Sequence, residues 1–393
     1  PSGVRSRGTS ARAMAPRDEP VSPAQRRTPE GTGMGDGTIA IRPGEEINGA
    51  ALRAWLSAAA PELVSADSRV EIRQYAAGFS NLTYEITLRG ARSARRLVLR
   101  RPPRGVAKGV AHDMGREHGI LAALHPLGIP VPRPLASCDD PSVIGAPFYL
   151  MEHVEGPILR GPPPASLVAD RDALPGRMAA LSRTFVETLV ALHRVDVSHG
   201  PLAAFGRPDG YVERQVQGWT RRWQAARTHD VPDMDVVAAW LNTNRPADAG
   251  ACLVHNDFKL DNLVLDPDLS SVRAILDWEM ATVGDPLMDL GTSLAYWVEA
   301  GDAPIFRSMG LGITVLPGAY TRRGLVEAYG PASGRDIAAA PFYLTFGLFK
   351  VAVIAQQIHA RFVQGLTADP RFSALGQVVE ALARQAAATA AQG

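Results

Sequence analysis

A chain of 393 residues, 46% of them hydrophobic, is long enough for two ordinary domains or for one bilobal domain with a cleft between its lobes. With 41 Lys and Arg against 40 Asp and Glu, the formal charge of +1 supplies no global field that would draw the chain to nucleic acid or to an anionic membrane, so any partner has to be read from a local site. Two cysteines, Cys138 and Cys252, stand far apart without ligand-type spacing, which argues against a disulfide framework or a thiolate metal site and suits a reducing cytoplasm.

Residues Pro1 to Gly37 hold five Pro, six Gly, six Arg and no aromatic residue, a composition unable to offset chain entropy by burial. A disordered tail is expected through residue 45, with the fold beginning at 46. From Ile47, INGAALRAWLSAAAPEL predicts a helix with Asn48 as its cap and Leu52, Trp55 and Leu56 on one face. RVEIRQYA, LTYEITLRG and RRLVLRR read as strands, DMGREHGILAAL as a helix, and a further strand pair ends in PFYLMEHVEG. Beyond Gly156 the pattern becomes helical: Met178, Leu181, Phe185, Leu189 and Leu192 recur at helical spacing, and RQVQGWTRRWQAA and DVVAAWL continue it. Trp219 and Trp223 read as the core face of an amphipathic helix, the alternative being a surface for a flat or anionic substrate. NLVLDPDLSSVRAILDWE is the exception, two aliphatic runs about a Pro-Asp turn that predict a short hairpin. Near the C-terminus the apolar run FGLFKVAVIA is ten residues long and contains Lys350, well short of a membrane span.

The stretch LVHNDFKLDNLVL sets His255, Asn256, Asp257, Lys259, Asp261 and Asn262 between aliphatic blocks. Polar turn residues alone would account for Asp and Asn there. The hairpin, however, leaves after Asn262 and returns at Asp277, which brings the oxygens of Asp257, Asn262 and Asp277 to one mouth. A hard cation such as Mg²⁺ takes one or two carboxylates from protein in nucleotide sites, so Asn262 and Asp277 suit a metal and leave Asp257 to accept a proton from a hydroxyl. Upstream, Arg100 shares a strand face with Val98, and Glu117 lies on the apolar stripe of its helix with Met114, Leu121 and Leu124. A carboxylate on such a stripe requires a cation, and Arg100 is the candidate, with Arg101 as the alternative one register away.

Taken together, HNDFKLDN and the Asp of AILDWEMATVGDPLMDLG resemble the protein-kinase-like fold, and more closely the aminoglycoside phosphotransferase and choline-kinase-like superfamily. The kinase catalytic loop reads His-Arg-Asp-Leu-Lys-x-x-Asn, and His255, Asp257, Lys259 and Asn262 keep its spacing. The resemblance implies an α+β, bilobal fold: an antiparallel-sheet N-lobe with one main helix over 46–150, a hinge at 151–156, and a mostly helical C-lobe with the catalytic hairpin over 157–390. It implies Asp257 as catalytic base, Asn262 and Asp277 as metal ligands, and Lys259 near the moving phosphoryl group, with His255 completing the catalytic set as a loop brace. Gly78, Ser80 and Asn81 of AAGFSNLTYEITL correspond to the phosphate loop, Arg100 and Glu117 to the strand-lysine and helix-glutamate pair, and Glu152, His153 and Val154 to the hinge that reads adenine. ATP and Mg²⁺ are the implied cofactors, with GTP left open.

Only seven residues separate Asp277 from Asp285, which leaves no room for the activation segment of a protein kinase. Asp289 reads as a buried brace beneath the catalytic loop, and Asp285 as a surface helix start. FSNLTY, VLRRPP and GYVERQVQGWTRRW are similar to the branch of the superfamily linked with acyl-CoA dehydrogenases, implying a hydroxyacyl-CoA or hydroxy acid as acceptor rather than an antibiotic. The remaining alternative, a nucleotide-binding pseudokinase, would be marked by loss of the base or a metal ligand, and all three residues are present. Neither nucleic acid nor membrane is expected as a partner.

Overall fold

A computed structural model describes residues 37–76, 81–91, 94–103, 112–307, 312–367 and 369–392. The described chain enters a sheet at once: β1 (Thr38–Ile39) runs antiparallel to β2 (Arg69–Tyr75), with Thr38 opposite Tyr75. The tail expected through residue 45 is thus overtaken by tertiary partners. Arg42 N donates to Gln74 Oε1 at 2.9 Å, and the Glu45 carbonyl accepts from Tyr84 Oη and from Arg101, each at 2.7 Å. These partners lie 32 to 56 residues away, beyond the reach of a local composition argument.

Helix α1 (Gly49–Ala59) is capped by Asn48, whose Oδ1 accepts from the amides of Ala50 and Ala51. Leu52 and Leu56 are buried, and Trp55 sets its ring edge-on to Phe148 at 4.9 Å. There follow β3 (Leu82–Arg89), β4 (Ala94–Arg101), α2 (Met114–Leu124), β5 (Pro134–Cys138) and β6 (Phe148–Glu152). Among the described residues these strands form one six-stranded sheet, ordered β1-β2-β3-β4-β6-β5, with every neighbouring pair antiparallel.

The two-residue period of β4 sorts its side chains between two cores. Leu97 and Leu99 pack with Tyr84, Ile86 and α1, whereas Val98 joins Ile120, Leu121 and Leu124 of α2 with Tyr149 and Met151. That second core continues without interruption into the C-lobe, reaching Leu159, Phe185, Leu263 and Ile275. A backbone bond from Ile275 N to Pro130 O at 2.8 Å reinforces the join, and one from Leu265 N to Pro157 O at 3.0 Å ties the first residue past the hinge to the hairpin.

The C-lobe contains α3 (Ala165–Val168), α4 (Leu174–His193), α5 (Tyr211–Ala226), α6 (Pro232–Thr243), β7 (Cys252–Val254), β8 (Leu263–Leu265), β9 (Val272–Ile275) and β10 (Thr282–Gly284). Helices α7 (Pro286–Tyr296), α8 (Pro304–Phe306), α9 (Arg322–Ser333), α10 (Ala340–Val363) and α11 (Leu375–Ala390) complete it. Strand β8 pairs with β9 and β7 with β10, so the expected hairpin is present. The stripe on α4 is buried, and Trp219 and Trp223 are core residues, with Arg222 stacked over Trp219 at 4.4 Å.

The ten-residue apolar run is the centre of a much longer helix. All 24 residues of α10 are helical, and by length and composition alone such a helix is able to cross a membrane. Here it packs on α5, α6, α7 and α11, with 67% of its most apolar window buried. Against α7 the two helix backbones touch. A Cβ on Gly347 would lie 2.0 Å from the carbonyl oxygen of Gly291, and one on Gly291 would lie 2.1 Å from that of Tyr343.

Candidate active site

The loop after β7 is built around a buried carboxylate. Asp289, on the first turns of α7 and wholly buried, accepts from the amides of His255 and Asn256 at 2.7 Å each, and its Oδ2 lies 3.2 Å from His193 Nε2. Asn256 takes the left-handed conformation, with φ of 66°, which turns the chain sharply just before Asp257. His255 Nε2 lies 2.9 Å from Leu276 O, while its Nδ1 accepts from Asp257 N at 3.3 Å. Both ring nitrogens face backbone, so the histidine braces the loop and is turned away from any proton transfer.

Asp257 is held at its carboxylate by two side chains of its own loop. Lys259 Nζ is 3.1 Å from Oδ1 and 2.9 Å from Oδ2, and Asn262 Nδ2 donates to Oδ2 and to the Asp257 carbonyl, each at 2.9 Å. Lys259 also lies over the ring of Tyr296, 4.6 Å from its centroid. Burial works against its ammonium, but Asp257, Tyr296 and Asp261 outweigh burial and hold it well above its ordinary value. Asn262 O accepts from Leu276 N at 2.8 Å, so the hairpin carries Asn262 and Asp277 to the same end.

Asp277, like Asn256, takes a positive φ, at 68°. Its Oδ1 accepts from Arg100 Nη2 at 2.9 Å. Arg100 Nε lies 3.3 Å from Glu117 Oε2, and Nη2 lies 3.5 Å from Glu279 Oε2. Tyr149 Oη donates to Glu117 Oε2 at 2.9 Å, and Asn81 Nδ2 reaches Glu117 Oε1 at 3.1 Å and Glu279 Oε2 at 2.9 Å. Burial pushes the Asp277 carboxyl up, but the Arg100 guanidinium outweighs it and holds the group below the usual carboxylate range.

Asp257, Lys259 and Asn262 thus form one bonded group and Asp277, Arg100, Glu117 and Asn81 another, brought side by side by the backbone bond between Leu276 and Asn262, with His255 behind. Gly78 and Ser80 lie outside the described residues. Arg101 points to the other face of β4, so it is Arg100 that meets Glu117. At the hinge, Glu152 N donates to Arg133 O at 2.9 Å, which occupies that donor within the structure. The His153 ring is directed along the sheet, with Nδ1 3.3 Å from Arg96 Nη2 and Nε2 3.8 Å from Glu85 Oε2; Val154 follows it, half-buried. Asp285 starts α7 as expected, its Oδ1 accepting from Leu287 N at 2.7 Å, but it is buried beneath Ala249 and Tyr343 rather than exposed. Glu279, two residues after Asp277, was not anticipated from the sequence.

Residues 71–325 match the profile of the phosphotransferase enzyme family. The chain belongs to that family. Among curated relatives it is 36% identical over 324 residues to acyl-CoA dehydrogenase family member 10 of Mus musculus, covering 81% of this chain and 29% of that protein. It is 34% identical to acyl-CoA dehydrogenase family member 11 of Rattus norvegicus, covering 84% of this chain and 41% of that one. The chain thus spans well under half the length of these relatives. Among solved structures, a Ralstonia eutropha protein assigned to the aminoglycoside phosphotransferases superposes with a TM-score of 0.73 at 28% identity, covering 88% of this chain and 99% of that one. A choline kinase from Cryptosporidium parvum shares the fold at a TM-score of 0.52 and 11% identity, covering 86% and 99%.

Proposed function

We propose that the protein transfers the γ-phosphoryl group of Mg-ATP to a hydroxyl of a small molecule, with Asp257 as the proton acceptor. The observation that carries this reading is the Asp257 carboxylate, fixed at hydrogen-bond distance by Lys259 and Asn262 at the mouth of the hairpin that also presents Asp277. A carboxylate so oriented is placed to accept the hydroxyl proton as the oxygen attacks, and Lys259 beside it offsets charge on the transferring group. Arg100, Asn81 and the hinge backbone beyond Glu152 are assigned to the nucleotide.

The residues fit a divalent cation. Asn262 directs its amide nitrogen at Asp257, which leaves its oxygen as a hard donor, and Asp277 supplies carboxylate oxygen. Glu117, Asp277 and Glu279 around the single guanidinium of Arg100 formally leave two negative charges in a largely buried cluster, the charge of one Mg²⁺. Among the described residues no group of three His, Cys, Asp or Glu side chains is arranged to hold a metal unaided, so phosphate oxygens and water would have to complete the shell of such an ion. When bound, the ion neutralises the polyphosphate and orients it.

For the acceptor, the relatives named for acyl-CoA dehydrogenation favour a hydroxyacyl-CoA or a hydroxy acid over an antibiotic. The test is incubation of the protein with Mg-ATP and a metabolite extract, followed by mass spectrometry for products heavier by one phosphate. Asp257→Asn is expected to lower transfer about a thousandfold while keeping Mg-ATP affinity by calorimetry. Asp277→Asn should lose both. Nucleotide binding by the wild type without any phosphorylated product would favour the pseudokinase reading, and full activity in Asp257→Asn would remove Asp257 from its role.

A further inference from the structure

Lys350 is the most buried lysine-type cation near the loop, 1% exposed in the middle of the apolar helix α10. Its Nζ lies 2.7 Å from the carbonyl oxygen of Asn256, 3.4 Å from Asn256 Oδ1 and 3.3 Å from Thr292 Oγ1, with the Trp219 ring 5.6 Å away. All three hydrogen-bond acceptors are neutral. A methionine would fill such a site without the cost of burying charge, so the ammonium calls for a reason beyond packing.

The reason lies in which oxygen it holds. Asn256 is fixed on every other side: its amide bonds Asp289, and its side chain meets Tyr211 Oη and Met280 O, each at 3.1 Å. Its carbonyl belongs to the peptide unit that carries the N–H of Asp257. Rotation of that unit would swing Asp257, and the left-handed turn at Asn256 supplies strain that favours such rotation. We propose that Lys350 is a positioning residue for phosphoryl transfer, gripping the Asn256 carbonyl so that the Asp257 carboxylate keeps its direction. This rests on the reading of Asp257 as proton acceptor.

The charged groups around Lys350 are Asp289 from α7, Asp257 and Lys259 from the loop, and Arg222 from α5. Burial pushes the ammonium down to about 8, with Arg222 and Lys259 adding to the push and the two aspartates opposing it. Between that value and the ordinary 10.5 the unfolded chain retains a proton that the folded chain has released. Stability therefore rises with pH across this window, and below it the buried charge costs stability.

The test uses the whole chain, with Mg-ATP and its slow transfer to water as the assay, on Lys350→Met, Lys350→Arg and Asp257→Asn. Lys350→Met should melt at pH 7 no lower than the wild type and bind Mg-ATP within about twofold, yet turn over about tenfold to a hundredfold more slowly, the loss expected when a reacting group is displaced. Wild-type turnover should fall through an alkaline limb near pH 8 that Lys350→Arg lacks. Wild-type turnover in Lys350→Met with the same alkaline limb would overturn the proposal, as would activity lost only in proportion to unfolded protein. An unchanged rate in Asp257→Asn would overturn the reading on which the proposal rests.

Discussion

Arg100 and Arg101 are neighbours on β4, and both are buried, at 7% and 0% exposure. Their surroundings have little else in common. Arg100 meets three carboxylates, Glu117, Asp277 and Glu279, from α2 and from the segment after β9. Arg101, one pleat away, bonds the Glu45 carbonyl and Tyr84 Oη and lies 5.4 Å from the centroid of the Tyr84 ring. Burial does not separate a site cation from a structural one. What separates them is whether the guanidinium meets carboxylates from distant elements or neutral oxygens of the local scaffold. An arginine surrounded by excess negative charge marks where a further cation belongs, whereas one that bonds carbonyl and phenol oxygens through Nε and Nη2, with its Nη1 left unpartnered, ties local scaffold together.

The sharpest break of this comparison is Arg100→Met, expected to lower turnover about a hundredfold and to weaken Mg-ATP, since three carboxylates would then face one another without their cation. Calorimetry and product formation read this directly, and near-normal nucleotide affinity would place Arg100 with Arg101 as a structural residue. Arg101→Met should do the reverse, lowering unfolding free energy by about 2 kcal/mol for hydrogen bonds to a charged group while leaving turnover unchanged. Chemical denaturation measures that loss. The smallest effect concerns the partner of Arg101: a chain cut to begin at residue 46 lacks both β1 and the Glu45 carbonyl, and should be less stable by about 1 kcal/mol than one cut to begin at residue 37. Equal melting of the two would show that Arg101 needs no carbonyl from that segment.

Much of the site was legible because its parts are local. The spacing from His255 to Asn262, the return of the hairpin at Asp277, and the alternation that aligns Arg100 with Val98 are short-range patterns, and period alone carries them into space. Legibility ended where partners are distant in sequence. Residues 38–45 looked like tail because their order comes from Gln74, Tyr84 and Arg101. Lys350 read only as an interruption of an apolar run, since its acceptor lies 94 residues upstream. Asp285 was read as exposed because a helix-start aspartate commonly is, whereas the close packing of α10 over α7 covers this one. Glu279 was passed over since nothing in two-residue spacing indicates whether a side chain turns into the cleft.

The contact between Gly291 and Gly347 acquires a different meaning once Lys350 is considered. Gly347 lies one turn before Lys350 on α10, and Gly291 immediately precedes Thr292 on α7, so the crossing point and the grip share the same two stretches of helix. With a carbonyl oxygen 2.0 Å from where a Cβ would stand, the joint has no clearance. A single methyl group there would act as a shim, lengthening the reach required of the Lys350 side chain by about the thickness of the insert. The tolerance of the loop that carries Asp257 is therefore machined into two residues that have no side chain at all.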